Sequence, residues 1–283
     1  MANIAYIGTG LLGSALAEAA LGRGDRVTVW NRSENKARAL EAFGAVVAAT
    51  AADAARGAER VHLVLRDDAV VEEIIRNIRP ALGPDTVLLD HSTTLPHLTA
   101  QRVERLASEG IRYLHCPTFA GPAAARQSQG IILVSGPQAV YEQAKDALEK
   151  QTGKLVYLGE RPDLAAAYKL IGNTLIISLG SLISDLFTIA AANEVSPADA
   201  LRLLEFFNPT TMLQNRGRRM ARADFEASFA LSMARKDVQL ILDSVGERPM
   251  ALMPAIAARM DQVIAEGLGD RDYGVIAHDA LGL

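Results

Sequence analysis

A glycine-rich segment near the start of the chain limits its possible folds more than any other feature. Gly8-Thr9-Gly10-Leu11-Leu12-Gly13 follows a strand-like apolar run, Asn3–Ile7, and opens a helical pattern that ends near Gly22. In such a unit the first glycine permits a tight turn, the second lets the backbone approach a pyrophosphate, and the third lets helix and strand pack closely. The amides at the start of the helix then bind an anion. In this context the motif predicts dinucleotide binding, whereas elsewhere it would indicate an ordinary turn.

Strand and helix patterns alternate through the first 160 residues. Short β-branched runs, apolar as in strands that are buried on both faces, are followed by Ala- and Leu-rich helical stretches. This alternation predicts an α/β arrangement, a mostly parallel sheet covered by helices. The predicted strands are Asn3–Ile7, Arg26–Trp30, Val61–Leu65, Thr86–Leu89, Ile111–Leu114, Ile131–Ser135 and Leu155–Leu158. The predicted helices between them are Leu11–Gly22, Glu34–Ala42, Val70–Ile78, Thr99–Ser108 and Gln138–Glu149.

The strand pattern ends at Gly159, and the remaining sequence is helical in pattern. An uninterrupted helical pattern from Pro162 to Ala192 predicts a helix about 45 Å long. Further helices are predicted over residues 197–206, 212–221, 229–245 and 249–266, the last of them starting at Pro249. We therefore expect an N-terminal Rossmann domain, residues 1–160, and an all-α C-terminal domain, residues 161–283.

The composition restricts the partners of the chain. A net charge of −4, from 33 acidic and 29 basic side chains, does not favour nucleic-acid binding, which needs a basic surface. The single cysteine excludes an internal disulfide, and the five histidines lack the spacing of metal ligands, so no metal site is expected. No signal-peptide pattern opens the chain. Together with the single cysteine, this predicts a cytoplasmic protein.

The apolar fraction of 49% raises the question of a membrane segment. The longest strongly apolar uncharged run, Leu170 to Ser184, has 15 residues and contains Asn173. A membrane span needs about 20 residues, so we expect no membrane insertion. In a fold that joins a Rossmann domain to an all-α domain, such a helix is buried between domains and subunits, so we expect a homodimer or a higher homo-oligomer.

The residues after the second predicted strand bear on the choice of nicotinamide cofactor. An acidic side chain there binds the ribose 2′-hydroxyl of NAD, whereas an arginine accommodates the 2′-phosphate of NADP. The chain reads Asn31-Arg32-Ser33 and has no carboxylate before Glu34. Arg32 can pair bidentately with phosphate, and Asn31 and Ser33 can donate hydrogen bonds. The sequence therefore favours NADP, and the alternative is a solvated arginine followed by a helix-capping serine.

Lys169 lies within the long apolar helix, and Asn173 follows four residues later on the same face. In a desolvated site the charged form of lysine is disfavoured, so its pKa falls towards the working range of a general acid or base. Asn173 would then hold the substrate oxygen. The alternative is a lysine that reaches solvent from the edge of the helix.

Together these elements resemble the β-hydroxyacid dehydrogenase family, which includes 3-hydroxyisobutyrate dehydrogenase and, as a larger relative, 6-phosphogluconate dehydrogenase. The resemblance covers nearly the whole chain. Its motifs, in chain order, are the glycine segment at 8–13, Asn31-Arg32, Leu65-Arg66-Asp67-Asp68, Asp90-His91-Ser92-Thr93-Thr94-Leu95-Pro96, Lys169 with Asn173, and Lys236-Asp237.

The resemblance implies an oxidoreductase that transfers a hydride between NADP(H) and a small carbonyl or alcohol of the β-hydroxyacid or semialdehyde type. Lys169 would exchange the proton, and Asn173 would position the oxygen. The residues implied to contact the cofactor, besides the glycine segment and residues 31–33, are Leu65, Arg66, Ser92, Thr93 and Lys236. The residues implied to bind the substrate are Ser92, Thr118, Phe119, Ala120, Gly121, Lys169 and Asn173.

The substrate loop departs from the family pattern. The family usually has Asp-x-Pro-Val-Ser-Gly-Gly, whose serine and glycine amides hold a carboxylate. This chain has His115-Cys116-Pro117-Thr118-Phe119-Ala120-Gly121. A phenyl ring cannot donate a hydrogen bond, so carboxylate recognition must weaken, move to Thr118 or the backbone, or be absent.

Two alternative functions stay open. Imine reductases resemble this chain in their two-domain plan but usually have aspartate or tyrosine at the position of Lys169. Phe119 keeps imine reduction open despite the lysine. The other alternative is a protein that binds NADPH without catalysis, against which an interior lysine argues, because an idle site has no chemical need for one.

Overall fold

The computed structural model describes residues 2–282, which form two compact units. The first unit ends at Asn173 and the second begins at Thr174, inside one long helix. The domain boundary predicted between residues 160 and 161 falls in the loop before this helix, and it stays a prediction.

Six parallel strands form the main sheet of the first unit, in the order β3-β2-β1-β4-β5-β6. They are β1 (Asn3–Ile7), β2 (Arg26–Trp30), β3 (Val46–Val47), β4 (Arg60–Leu63), β5 (Val87–Asp90) and β6 (Arg112–His115). The chain reverses its direction of progress across the sheet between β1 and β4, and in doubly wound sheets ligands bind beyond the carboxyl ends of the strands at such a point. The predicted parallel α/β sheet is confirmed.

A separate sheet contains β7 (Thr118–Phe119), β8 (Ile131–Val134) and β9 (Lys154–Tyr157). Strand β7 is antiparallel to β8, and β8 is parallel to β9. The last two predicted strands therefore exist, but they pair with each other instead of extending the main sheet. Strands β3 and β7 are two residues long, too short to produce a periodic pattern in the sequence.

Helices cover the strands of the first unit. They are α1 (Leu11–Gly22), α2 (Glu34–Arg38), α3 (Ala51–Ala55), α4 (Asp68–Ile78), α5 (Pro96–Ser108), α6 (Pro122–Arg126) and α7 (Gln138–Glu149). Both faces of β1 are buried, because Ala5 and Ile7 pack in one apolar cluster and Ile4 and Tyr6 pack in another. This explains why the strand is apolar throughout instead of alternating.

The second unit is helical, with no strand between Thr174 and Gly282. Its helices are the end of α8 (Leu164–Ala192), then α9 (Pro197–Leu201), α10 (Pro209–Ala221), α11 (Leu231–Val245) and α12 (Met253–Val263). Helix α8 has 29 residues and is therefore about 44 Å long, close to the predicted length. The predicted all-α part of the chain is confirmed.

The predicted start of the last long helix is wrong. Helix α12 begins at Met253 instead of Pro249. The buried carboxylate of Asp185 in α8 accepts hydrogen bonds from the amides of Ala251, Leu252 and Met253 at 2.5, 2.9 and 3.1 Å. This cap comes from a residue distant in the sequence, so local rules for helix starts do not reveal it.

Helix α8 is long and apolar enough to cross a membrane by length and composition alone. Counting the uncharged run of 15 residues therefore does not settle whether α8 enters a membrane. Many of its large apolar side chains are exposed, among them Ile171, Ile176 and Ile177.

Candidate active site

The glycine segment forms a tight turn between β1 and α1. Gly8 has a φ of +98°, and a Cβ there would lie 2.2 Å from the carbonyl oxygen of Val64. A Cβ on Gly13 would lie 2.0 Å from the carbonyl oxygen of Gly8. Neither position has room for a side chain. Gly10, by contrast, is the N-cap of α1 and faces open space, so a ligand can approach the backbone there.

Asn31 holds this turn against the end of β2. Its Oδ1 accepts a hydrogen bond of 3.0 Å from the amide of Thr9, and its Nδ2 donates one of 3.0 Å to the carbonyl oxygen of Ser33. Both ends of the side-chain amide are therefore engaged within the protein. The predicted contact of Asn31 with a cofactor stays a prediction, but a positioning role is visible in the structure.

A cavity of about 380 Å³ opens beside this turn. Its lining residues are Gly8, Gly10, Trp30, Asn31, Arg32, Ser33, Lys36, Val64, Leu65, Arg66, Val70, Glu73 and Ile74. The cavity thus brings together seven residues that the sequence assigned to the cofactor: Gly8, Gly10, Asn31, Arg32, Ser33, Leu65 and Arg66. It combines apolar walls, the N-terminus of α1 and three cationic side chains. This combination fits a dinucleotide phosphate.

Lys36 is a cation of this cavity that the sequence reasoning missed. It lies on α2 and lines the cavity together with Arg32, four residues earlier. Arg32 is exposed, and it forms no ion pair with any of residues 2–282. The available signal was a second cation in the first turn of the helix that begins directly after Arg32 and Ser33.

Ser92 joins the carboxyl ends of two neighbouring strands. Its Oγ accepts a hydrogen bond of 2.9 Å from the amide of Leu65, which follows β4. Its own amide donates one of 2.9 Å to Asp90 at the end of β5. The hydroxyl is buried and engaged in this link, so the structure shows Ser92 fixing the loop. Thr93, beside it, is half-buried.

A buried ion pair supports the end of β5. Asp90 accepts a hydrogen bond of 2.7 Å from the hydroxyl of Tyr113 and lies 3.7 Å from the guanidinium of Arg102. The side chains of Asp90 and Arg102 are both 0% exposed. Arg102 also pairs with Asp68 and Glu72, both at 2.7 Å. Sequence reasoning missed this network, because an arginine in an amphipathic helix gives no sign of being buried.

Two stacked histidines lie under the same loop. His62 Nδ1 and His91 Nε2 are 2.9 Å apart, and His91 Nδ1 lies 2.9 Å from the carbonyl oxygen of Cys116. A carbonyl only accepts, so His91 carries its proton on Nδ1, and His62 must donate from Nδ1. Burial lowers the pKa of His91 to about 4 and that of His62 well below its usual value. Both rings are therefore neutral near pH 7.

Lys169 is buried on α8, only 9% exposed. Its Nζ donates a hydrogen bond of 2.8 Å to the carbonyl oxygen of Thr118 and lies 3.9 Å from the ring centroid of Phe119. Burial lowers the pKa of the Lys169 ammonium. The alternative of a lysine reaching into solvent is wrong. Asn173 lies one turn further along the helix and is half-buried.

The remaining predicted substrate residues have distinct surroundings. Thr118 is buried, and its hydroxyl donates to the carbonyl oxygen of Cys116 at 3.3 Å and lies 3.2 Å from His91 Nδ1. The Thr118 hydroxyl, one of the groups to which carboxylate recognition could move, is therefore engaged inside the protein. Phe119 and Ala120 are half-buried, and Gly121 is exposed at the start of α6.

Lys236 lies on α11 in the second unit. Its ammonium is 2.9 Å from the carboxylate of Asp237, and its side chain is 54% exposed. This is the geometry of a solvated charge pair, and contact with the cofactor stays a prediction.

The strand order, the glycine turn and the cavity beside it define a dinucleotide-binding α/β protein. Residues 3–159 match the NAD binding domain of 6-phosphogluconate dehydrogenase. The chain belongs to that family, as its sequence motifs implied.

The similarity to known proteins extends over the whole chain. Glyoxylate/succinic semialdehyde reductase 1 of Arabidopsis thaliana is 25% identical over 281 residues, covering 97% of this chain and 96% of the relative. The 3-sulfolactaldehyde reductase of Escherichia coli (strain K12) is 26% identical over 286 residues, covering 98% and 95%. An imine reductase structure from Streptomyces aurantiacus superposes with a TM-score of 0.88 at 25% identity, covering 97% and 98%. The chain is a nicotinamide-dependent oxidoreductase of this family.

Proposed function

We propose that the protein catalyses reversible hydride transfer between NADP(H) and a small carbonyl or alcohol, of the β-hydroxyacid or semialdehyde type, with Lys169 as general acid and base. The observation that carries this proposal is the buried Lys169 ammonium, held 2.8 Å from the Thr118 carbonyl oxygen. A buried lysine with a lowered pKa has little structural justification in an apolar helix, but it suits a group that gives and takes a proton.

The nicotinamide, when bound, supplies or accepts the hydride. Lys169 donates a proton from Nζ to the developing alkoxide oxygen during reduction, and it takes the proton back during oxidation. The Thr118 carbonyl oxygen fixes the direction of one N–H, so that the other two can face the reacting oxygen. Asn173, one helical turn further on, positions that oxygen through its side-chain amide.

The preference for NADP over NAD is supported by the charges around the cavity. Arg32, Lys36 and Arg66 line it, whereas Glu73 is the one acidic side chain among its lining residues. Arg66 is paired with Asp67 at 2.7 Å, but Arg32 is not engaged in an ion pair within residues 2–282. A free guanidinium at the end of β2 favours a 2′-phosphate, which it can bind with paired hydrogen bonds.

Reduction of an imine is the second candidate function, favoured by the similarity to the Streptomyces aurantiacus imine reductase. One panel tests both candidates: NADPH consumption with short aldehydes, ketones and cyclic imines. We expect turnover of the carbonyl compounds. Preferential turnover of imines would replace the first proposal with the second. Tight NADPH binding without turnover of any compound would contradict both and favour a non-catalytic binding protein.

We further propose that a second copy of this chain covers the exposed apolar side chains of α8. Extended apolar surfaces of this kind usually mark protein interfaces. The helix also holds two charged side chains, Lys169 and Asp185, which are buried against polar backbone groups of this chain. Charged side chains are costly in a lipid core, so a bilayer is the less suitable partner. A reducing cytoplasm suits the single cysteine, which is buried.

Light scattering after size-exclusion chromatography tests this assembly. We expect at least twice the 30.2 kDa mass of one chain, and a smaller mass for Ile177→Lys, which places a charge on the exposed face. A wild-type monomer, or partition of the wild type into lipid vesicles, would contradict it.

A further inference from the structure

The phenyl ring of Phe119 is pressed against the face of α8 that carries Lys169. A Cβ added to Gly172 would lie 2.3 Å from Phe119 Cζ and 2.8 Å from Cε1, so the ring occupies the space that any larger residue would need. Gly172 and Lys169 are three residues apart and share a face of the helix. The ring thus covers the helix surface immediately beside the ammonium.

This contact limits what the ammonium can bind. Of the three N–H groups on Lys169 Nζ, one is directed to the Thr118 carbonyl oxygen, and the Phe119 ring lies 3.9 Å from the same nitrogen. The other two N–H groups can be reached only from the side of Nζ that neither the Thr118 carbonyl oxygen nor the Phe119 ring covers. A carbonyl oxygen is satisfied by one or two donors, whereas a carboxylate is bound most strongly by paired, charge-assisted donors.

The surroundings of the ring are also unfavourable for an anion. The face of a phenyl ring is electronegative, and it attracts the ammonium while it repels a carboxylate. Of the side chains at residues 118–121, only Thr118 has a hydrogen-bond donor, and its hydroxyl points to the Cys116 carbonyl oxygen and His91. The loop therefore presents an apolar surface beside the proton donor.

We propose that the substrate is a carbonyl compound whose substituents are uncharged and apolar, and that Phe119, packed on Gly172, is the residue that determines this specificity. The inference rests on the proposed function, because it concerns the same site. It distinguishes this chain from relatives such as the glyoxylate/succinic semialdehyde reductase, whose name denotes acidic substrates. β-Hydroxyacids and semialdehydes themselves carry a carboxylate, so the hydride and proton transfer of the proposed function is kept, and uncharged carbonyl compounds replace these acids as its substrates.

A matched pair of aldehydes tests the proposal. Succinic semialdehyde and its methyl ester present the same aldehyde on the same carbon chain and differ in the charge at the far end. We expect the wild type to show at least a tenfold higher kcat/KM for the ester, measured with saturating NADPH. Equal or better turnover of the acid would overturn the inference and leave the proposed function intact.

Two substitutions of Phe119 assign the preference to this residue. Phe119→Ser should shift the ratio of kcat/KM values towards the acid by at least tenfold, because a hydroxyl donor replaces the ring. Phe119→Leu is the matched control, and it should keep the preference for the ester because it is apolar and has no donor. An unchanged ratio in a folded Phe119→Ser variant would show that Phe119 does not determine the preference for the ester. No turnover of either aldehyde, despite NADPH binding, would instead contradict the proposed function itself.

Discussion

Arg32 is the residue on which the cofactor preference depends most directly. We expect Arg32→Ala to raise the KM for NADPH by roughly tenfold to a hundredfold, the loss of a charge-assisted hydrogen bond of about 1.5–3 kcal/mol. The KM for NADH should change by less than about twofold, because its ribose carries no phosphate. The KM of Arg32→Lys for NADPH should fall between those of the wild type and of Arg32→Ala, because lysine keeps the charge but not the paired donors. Equal effects on both cofactors in steady-state kinetics would contradict the assignment.

The sequence predicted several side chains of the candidate site, but not the groups to which they are hydrogen-bonded. Lys169 was expected in a desolvated site, and it is buried. Ser92 and Thr118 were expected to face ligands, yet their hydroxyls bond within the protein. The contacts of Ser92 with Leu65 and of Thr118 with His91 join segments that are far apart in sequence, so only the folded arrangement reveals them. The buried pair of Asp90 and Arg102 likewise forms only when strand and helix have folded together, so the sequence alone does not reveal it.

At the scale of elements, the contact between α8 and α12 has a clear test. Asp185→Ala should lower the free energy of unfolding by about 2–4 kcal/mol, because three amides at the start of α12 lose their acceptor. Asp185→Asn should cost less, since its carbonyl oxygen can still accept. Denaturant unfolding, followed by circular dichroism, measures both values. An unchanged midpoint for Asp185→Ala would show that the cap does not contribute.

Helices and strands could be predicted from the sequence where their apolar residues repeat regularly over enough positions. Helices α1 and α7 and strands β1 and β2 have the predicted bounds, because their apolar patterns are long and are closed by clear turn residues. The two-residue strands β3 and β7 have no period to detect. The start of α12 was missed for another reason, because its cap is the side chain of Asp185, in a different helix.

For the whole molecule, the buried histidines predict sensitivity to mild acid. His91 has a folded pKa of about 4, lowered by burial, against about 6.5 when unfolded, and burial also lowers the pKa values of His62 and His115. The unfolded chain therefore takes up protons first, and stability falls as the pH drops from 6.5 towards 4. His91 alone should contribute a loss of about 2 kcal/mol between pH 7 and pH 5.

Urea unfolding at pH 7 and pH 5 measures this loss. His91→Asn is the control, because its side-chain amide can still donate to the Cys116 carbonyl oxygen but does not titrate. The variant should lose less stability over this interval than the wild type. A wild-type stability that is the same at pH 7 and pH 5 would contradict the neutral, buried state of these rings.

A second acid-sensitive group lies in the helical unit. The carboxylate of Asp272 accepts hydrogen bonds from the amides of Ser228, Phe229 and Gly274 and pairs with Arg216. Burial alone would raise its pKa, but the hydrogen bonds from the Ser228 hydroxyl and from the three amides lower it to about 2. Its stabilising effect is complete above about pH 4 and is lost as the pH falls towards 2. The histidines therefore account for the loss in mild acid, and Asp272 contributes only below it.

Lys169→Ala shows whether Lys169 exchanges the proton. We expect kcat for carbonyl reduction to fall by roughly 10²- to 10⁴-fold, the usual contribution of a general acid. The Kd for NADPH, measured by fluorescence titration, should stay within about threefold of the wild type. Lys169→Arg keeps the charge but cannot release its proton, and its kcat should be similarly low. A Lys169→Ala variant that retains the wild-type kcat would show that Lys169 is not the general acid and base.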